Sequence, residues 1–338
     1  MGERALRTFA VIPAYRASAT LRRVVERALE VVDEVIVVDD ACPQRCGDLL
    51  SGFGGVRVHV IRCETNGGVG AATKIGMVEA LARGAEVIVK IDADDQMDTS
   101  YVPEMVAYLA SQPEIDLVKG NRFADSVTLR RMPIARLVGN AALTFLVKFS
   151  TGYWTIVDPT NGFIAVRAQA LRETDLGALA NRYFFEIDLL CSFGLQRRAI
   201  AELQMPAIYA GEHSSLSIAG VLLNFPGKLL FRFLRRVLIN YLIVEINVGS
   251  LCAAIGLPML LAALVFGGHE WLVSIQSGQP RPTGTIILAL MLFTIGVQLS
   301  LQALLFDVQF ATRTVKIRPD VRRENRGAPE HAGEALVR

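Results

Sequence analysis

The first two-thirds of the chain alternates short apolar, β-branched runs with longer stretches of helical period. Residues 8–13, Thr-Phe-Ala-Val-Ile-Pro, read as a strand that stops at proline. Residues 34–40 make a second run, apolar throughout its interior and hence buried on both faces. Residues 56–62, 86–91 and 115–119 give a third, fourth and fifth strand. Helical spacing fills residues 19–32, 69–83 and 101–111, with Ser18 or Thr20 capping the first helix and Gly84 ending the second. This alternation predicts an α/β fold, a mostly parallel sheet with helices on both faces. Ligands of such sheets bind beyond the carboxyl ends of the strands. The polar groups Pro13-Ala14-Tyr15, Asp39-Asp40 and Asp92 to Asp95 fall at those ends.

Further on the pattern changes. Residues 246–268 and 283–306 run for 23 and 24 positions without Asp, Glu, Lys or Arg. As helices each spans roughly 30 Å, the thickness of a bilayer core. Lys228, Arg232, Arg235 and Arg236 precede the first; Arg313, Lys316, Arg318, Arg322, Arg323 and Arg326 follow the second. The loop between them carries only Glu270 and Arg281. The positive-inside bias predicts a transmembrane hairpin in the inner (cytoplasmic) membrane, with both flanks and the preceding domain cytoplasmic. Neither apolar run contains an ionisable side chain of the kind transporters use. Residues 133–157 are apolar but interrupted, which predicts a pair of interfacial helices. Residues 218–245 mix phenylalanines with basic residues and suit an amphipathic segment on anionic headgroups. The predicted organisation is a catalytic domain over 1–217, a juxtamembrane segment over 218–245, a hairpin over 246–306 and a basic tail over 307–338.

Composition adds little. The 338-residue chain is 52% hydrophobic with a formal net charge of +2, which gives no basis for a nucleic-acid partner. Five scattered cysteines (Cys42, Cys46, Cys63, Cys191, Cys252) contain no CxxC pair and read as reduced thiols. The first residues lack a signal-peptide pattern. No GxxxxGK[ST] sequence is present, which argues against a P-loop enzyme.

Asp92-Ala93-Asp94 carries the chemistry. Two carboxylates at i and i+2 past a buried strand can turn into one cleft, and crowding them is unfavourable unless a cation joins them. Their hard oxygens suit Mg2+ or Mn2+ held jointly with substrate phosphates, with Gln96 and Asp98 as further oxygen donors. Asp39 and Asp40 at an adjacent strand end can accept hydrogen bonds from a base or ribose. Asn66-Gly67-Gly68-Val69-Gly70 opens a helix, either as a tight entry or as a phosphate cradle. The four histidines are isolated.

Taken together, Ile12-Pro13-Ala14-Tyr15, Val37-Val38-Asp39-Asp40, Asn66 to Gly70, Asp92 to Gln96 and Gly120-Asn121-Arg122 resemble glycosyltransferase family 2 with its GT-A fold. Within it, the chain is similar to the polyprenyl-phosphate glycosyltransferases of the dolichol-phosphate mannose synthase group. The resemblance implies that Pro13 and Tyr15 line the nucleotide pocket. It places Asp39 and Asp40 on base and ribose, and Asp92, Asp94 and Gln96 on the metal. It sets Arg122 near the acceptor phosphate, with Arg131 and Arg136 as partners. Asp158-Pro159-Thr160-Asn161-Gly162-Phe163 and Phe185-Glu186-Ile187-Asp188 match acceptor-side segments, and His213 to Leu216 another. Arg16-Ala17, Ala41-Cys42 and Asn161 depart from the family pattern. No Gln-x-x-Arg-Trp motif is present, which favours one transfer per encounter.

The implied reaction is inverting transfer from a UDP- or GDP-sugar to a polyprenyl phosphate whose oxygen is already anionic, so arginines suffice to position it. A hydroxyl acceptor needs a carboxylate base instead, with Glu186, Asp188 and Asp158 as candidates. A non-catalytic membrane scaffold is the third reading. A monomer and a closed homo-oligomer both fit the pattern.

Overall fold

The computed structural model describes residues 6–53, 57–124, 134–206 and 218–317. Its strands are β1 (Thr8–Ala14), β2 (Glu34–Asp39), β3 (Val58–Arg62), β4 (Val87–Lys90), β5 (Ile115–Asn121), β6 (Ile164–Arg167), β7 (Ala199–Gln204) and β8 (Thr314–Ile317). They form one sheet in the order β3-β2-β1-β4-β6-β5-β7-β8. Every pairing is parallel except those of β6, which runs antiparallel to both β4 and β5.

Helices α1 (Leu21–Leu29) and α3 (Val102–Ser111) cover one face; α2 (Val69–Ala82) and α6 (Phe185–Leu195) cover the other. The period-2 pleat of β1 decides which residue goes where. Ala10 and Ile12 pack with Leu21 and Met105, whereas Phe9 and Val11 pack with Met77 and Phe193. The short α5 (Ala168–Arg172) follows β6.

The remaining helices are α4 (Ile134–Thr151), α7 (Ile218–Val237), α8 (Val248–Ser277) and α9 (Thr283–Gln309). Residues 133–157 therefore hold one 18-residue helix where a pair was expected. Gly139 and Asn140 lie inside α4, since a single glycine costs only about 1 kcal/mol and the flanking residues propagate the helix. Val147 of α4, Ile187 and Cys191 of α6, and Phe225 and Leu229 of α7 share a small core of their own. This core fastens the juxtamembrane helices to the sheet domain.

Helices α8 and α9, 30 and 27 residues long, form the hairpin. Only 22% and 6% of their apolar windows are buried, so they are not core helices. Glycines bring them together: a Cβ on Gly296 would lie 2.6 Å from the Leu260 amide nitrogen. Gly278 closes α8 in the left-handed conformation, at φ 65°. Both helices extend past the charge-free runs, so α8 includes His269 and Glu270, and α9 includes Asp307.

Asp307 is buried and fixes the hairpin to the domain. Arg236 of α7 reaches it at 2.7 Å, the Trp154 indole donates to it at 2.9 Å, and the Tyr241 hydroxyl also donates to it. Tyr241 sits on a π-helical turn, Leu238–Val244. A second Arg236 nitrogen donates to the Phe149 carbonyl at 2.7 Å. Beyond the hairpin the chain returns to the sheet as β8, so the segment expected to be only a basic tail contributes an edge strand. Both ends of the hairpin therefore join one domain and lie on one side of it.

Removing one member of a buried ion pair costs about 3–5 kcal/mol, because the other charge is stranded. Arg236→Met should lower the thermal unfolding midpoint in detergent, and adding Asp307→Leu should recover more than half of the loss. An additive double variant would mean that the pair does not act as a unit.

Candidate active site

Among the described residues five outside glycine adopt left-handed backbone: Arg16 (φ 55°) after β1, Ala41 (φ 52°) and Arg45 (φ 50°) after β2, Asp95 (φ 60°) after β4, and Arg197 (φ 53°) before β7. Backbone strain of this kind collects at functional sites. Those after β2, β1 and β4 mark one crevice along the carboxyl edge. An open cleft of about 410 Å³ lies beside it, lined by Ala41, Cys42, Arg62, Cys63 and Glu64.

The loop of Asp92 and Asp94 is anchored from outside. Asp95 pairs with Arg23 at 2.5 Å and Arg27 at 3.0 Å on α1. The Thr20 hydroxyl donates to the Ala93 carbonyl at 2.5 Å. Asp94 accepts the Gln96 amide at 3.1 Å, the turn that aims both residues. Asp92 keeps 31% of its side chain exposed, and its Oδ1 lies 2.5 Å from the Lys90 ammonium. Among the described residues no third His, Cys, Asp or Glu joins these carboxylates in a cation-holding cluster.

Lys90 is fully buried. It also pairs with Glu186 of α6 at 3.0 Å. Burial opposes its charge, but Asp92 and Glu186 outweigh burial and hold the ammonium well above its ordinary range. Gly162 permits this approach, since a Cβ there would sit 2.6 Å from the Lys90 nitrogen.

A second lysine mirrors it. Lys90 and Lys119 both stand opposite Ile164 of β6, one from each side, so all three share a face of the sheet. Lys119 is 1% exposed and donates to the backbone carbonyls of Asp158 and Asn161. Burial drives its pKa down to about 8, against the pull of Asp158 and Glu202. Asp158 in turn receives Arg122: Nε at 2.8 Å, Nη2 at 3.1 Å and the backbone amide at 3.1 Å. Burial would raise this carboxyl, but the Arg122 charge and hydrogen bonds keep it below its usual value.

Several expected contacts are already taken inside the protein. Pro13 is buried within β1, paired with Val38, and lines no cleft; Tyr15 just beyond it is 43% exposed. Asp39 is fully buried and accepts the Cys42 amide at 2.8 Å and the Gly47 amide at 2.9 Å. Asp40 accepts the Gly67 and Gly68 amides, both at 2.8 Å. Those amides hold a carboxylate, so the glycine turn is a tight helix entry rather than a phosphate cradle. Gly68, at φ 94°, is the residue type that this entry requires. Asp188 is buried away from the crevice and paired with Arg232 of α7, whose Nη2 donates to it at 2.8 Å. Cys42 and Cys46 are not scattered: their sulfurs lie 2.9 Å apart. Arg131 and residues 213–216 lie outside the described residues, and of Arg136 only the backbone is described.

Lys90, Lys119 and Glu202 were missed from sequence. Each lysine is a lone charge at the end of an apolar strand run, Val87 to Lys90 and Leu117 to Lys119, and that anomaly was the available signal.

The family profile Glycosyl transferase family 2 matches residues 9–175. The chain is 35% identical over 191 residues to the polyprenol monophosphomannose synthase of Mycolicibacterium smegmatis, across 54% of this chain and 70% of that protein. The chain belongs to glycosyl transferase family 2. It is also 30% identical over 189 residues to the undecaprenyl-phosphate mannosyltransferase of Micrococcus luteus, covering 54% and 76% of the two chains. A third relative is the UDP-N-acetylglucosamine--dolichyl-phosphate N-acetylglucosaminyltransferase of Methanococcus voltae, 25% identical over 241 residues, 67% of this chain and 94% of that one. In this family 2 glycosyltransferase, Asp92 and Asp94 follow β4, and the loop of Asp158 runs from Arg122 to Gly162 beside Lys90.

Two outcomes are expected for this family 2 enzyme. Asp94→Ala should lower kcat by about two to three orders of magnitude, the scale for losing one preorganised electrostatic contact, with an unchanged unfolding midpoint; near-normal turnover would remove Asp94 from the site. The second concerns Lys119. Between about 8 and its usual 10.5, the unfolded chain keeps a proton that the folded chain has released. Stability therefore rises with pH across that window, and below it the full cost of the buried cation remains. The unfolding midpoint of the wild type should climb relative to Lys119→Met between pH 8 and 10. Parallel curves would contradict the depressed pKa.

Proposed function

We propose that the protein transfers a sugar from a nucleotide-sugar to a polyprenyl phosphate at the cytoplasmic membrane face, in one inverting step. One observation carries the choice of acceptor. Each of the three candidate base carboxylates is engaged by a cation: Glu186 shares Lys90 with Asp92, at 3.0 Å, Asp188 meets Arg232 at 2.6 Å and Asp158 meets Arg122 at 2.8 Å. A carboxylate engaged by a cation is a poor proton acceptor. A hydroxyl acceptor needs such a base, whereas a phosphate acceptor arrives ionised. The names of the M. smegmatis, M. luteus and M. voltae relatives, each a transferase of polyprenyl, undecaprenyl or dolichyl phosphate, support the same reading.

In this reading the acceptor phosphate oxygen attacks the sugar C1 as the bond from C1 to the nucleoside diphosphate breaks, and the diphosphate leaves with the bonding pair. Arg122, held by two side-chain contacts to Asp158, is the arginine assigned to the acceptor phosphate. Arg131 and Arg136 are assigned to the same phosphate. Tyr15 borders the donor cleft, and Asp39 and Asp40 shape its wall through the backbone they hold. Asp92 and Asp94 fit a hard divalent cation, Mg2+ or Mn2+, because two partly exposed carboxylates leave the remaining positions to diphosphate oxygens, with Gln96 beside them. Bound there, such an ion neutralises charge on the leaving group. The Lys90 ammonium, 2.5 Å from Asp92 Oδ1, fixes the orientation of that carboxylate.

The bilayer takes the rest. Leu230, Phe231 and Leu234 on α7 and Phe145 and Leu146 on α4 are exposed beside the hairpin, and suit insertion at the headgroup boundary. Lys228, Arg235 and Arg313 on this flank favour the cytoplasmic side.

The test is an assay of the purified protein in detergent with undecaprenyl phosphate, Mg2+ or Mn2+, and a panel of radiolabelled UDP- and GDP-sugars. A labelled, mild-acid-labile lipid that disappears with EDTA is the expected product and names the sugar. Donor hydrolysis without lipid product, together with transfer to a lipid-linked sugar, would replace the phosphate acceptor with a hydroxyl.

A further inference from the structure

The strand beyond the hairpin reaches the acceptor side of the site through buried charge. β8 pairs with β7 so that Lys316 stands beside Glu202. The Lys316 ammonium lies 3.2 Å from Glu202 Oε2. Glu202 is fully buried, and its carboxylate accepts the amides of Val157 and Asp158, each at 3.0 Å. Those two residues begin the loop whose next contacts are Asp158 to Arg122 and the Asp158 carbonyl to Lys119. The path from β8 to the Arg122 guanidinium thus has three links: Lys316 to Glu202, Glu202 to the loop amides, and Asp158 to Arg122. It connects residues 114 positions apart in the chain at its first step alone.

We propose that Lys316 is a positioning residue for the acceptor phosphate, acting through Glu202 and the Asp158 loop on Arg122. This rests on the acceptor reading of Arg122 given above. Glu202 needs compensation, because a buried carboxylate without a cation is costly. Lys119 also lies near, but its ammonium is taken by the carbonyl oxygens of Asp158 and Asn161. Lys316 is 37% exposed and reaches the carboxylate from the solvent edge of the sheet. Without it, Glu202 draws Lys119 or water, the amide contacts loosen, and Arg122 loses its fixed plane. β1, β2 and β4, whose ends form the donor half of the crevice, lie on the other side of β6 from β5, β7 and β8, and none of the three links from Lys316 to Arg122 includes a residue of those strands. Since β8 continues directly from α9, the same strand ties the membrane hairpin to the acceptor groups.

The experiment measures kcat, both KM values and the unfolding midpoint for the full chain in detergent, with undecaprenyl phosphate as acceptor. The variants are Lys316→Ala, Lys316→Arg, Glu202→Gln, the double Lys316→Ala/Glu202→Gln, and Arg122→Ala. Lys316→Ala should raise the acceptor KM about tenfold, the scale of coupling within one charge network, with the donor KM unchanged. Lys316→Arg should restore most of the acceptor KM. Lys316→Ala should add nothing to Glu202→Gln, because it acts only through that carboxylate. A raised acceptor KM in Arg122→Ala with a normal one in Lys316→Ala overturns the positioning role and leaves the acceptor reading standing. A normal acceptor KM in Arg122→Ala overturns both. A lowered midpoint in Lys316→Ala without any change in acceptor KM also overturns the proposal, since it marks a structural role alone.

Discussion

Two ammonium groups sealed inside a sheet constrain everything around them. Lys90 and Lys119 flank Ile164 on the same face, and neither has access to water. A buried cation is tolerable only when oxygens surround it. The segment from Val157 to Phe163 therefore folds over the strand ends, giving carbonyls to Lys119 and leaving room at Gly162 for Lys90. Asp92 and Glu186 must then turn inward to meet Lys90. Asp158 is set by the same loop and takes Arg122. The antiparallel insertion of β6 makes this possible, because it brings the loop before β6 to the carboxyl ends of β4 and β5. Donor-side carboxylates and the acceptor-side arginine are thus organised by one pair of charges.

This accounts for what was legible in the chain. Strands β1, β2 and β4 are largely continuous apolar runs between turn residues, and such runs declare themselves. The hairpin is legible for the same reason: a bilayer imposes a length and a lack of charge that little else requires. Strands β6 and β8 have four residues each and depend on neighbours distant in sequence, so no local period marks them. The site was legible as residue types and less so as contacts. Asp39 and Asp40 are expected on base and ribose and Asp188 as a candidate base, and in the fold their partners are backbone amides and Arg232. Whether a carboxylate faces a ligand or caps a loop is decided by tertiary packing, which the spacing of acidic residues does not encode.

The basic residues before the hairpin have a similar double character. Counted as flank charge, Arg232 and Arg236 orient the hairpin. In the fold they reach inward, to Asp188 on α6 and Asp307 on α9. Leu230, Phe231 and Leu234 of α7 stay exposed. The helix therefore turns an ionic side to the protein and leaves an apolar side uncovered. It is held at a fixed height against both the sheet domain and the membrane helices. A lipid-borne acceptor cannot travel to a distant cleft, so a transferase that uses one has to set its crevice at a defined distance from the headgroups. Two ion pairs and the return of the chain as β8 impose that distance from both sides of the hairpin.

The charge balance of the crevice also bears on its chemistry. Acids and cations alternate through it in contacts of 2.5 to 3.2 Å: Asp92 with Lys90, Lys90 with Glu186, Arg122 with Asp158, and Glu202 with Lys316. A general base needs a carboxylate poised near neutrality, which means desolvation without a partner. Each of these acids has a cation beside it, and the Arg122 charge drives Asp158 the opposite way. What the arrangement provides is fixed cationic edges of low reorganisation cost. Those edges serve a substrate that brings its own negative charge at both ends of the reaction, in the attacking phosphate and in the departing diphosphate. The protein then has no proton to move. Its work reduces to holding two anions in line with a sugar carbon, and a network of paired charges does this better than any single reactive side chain.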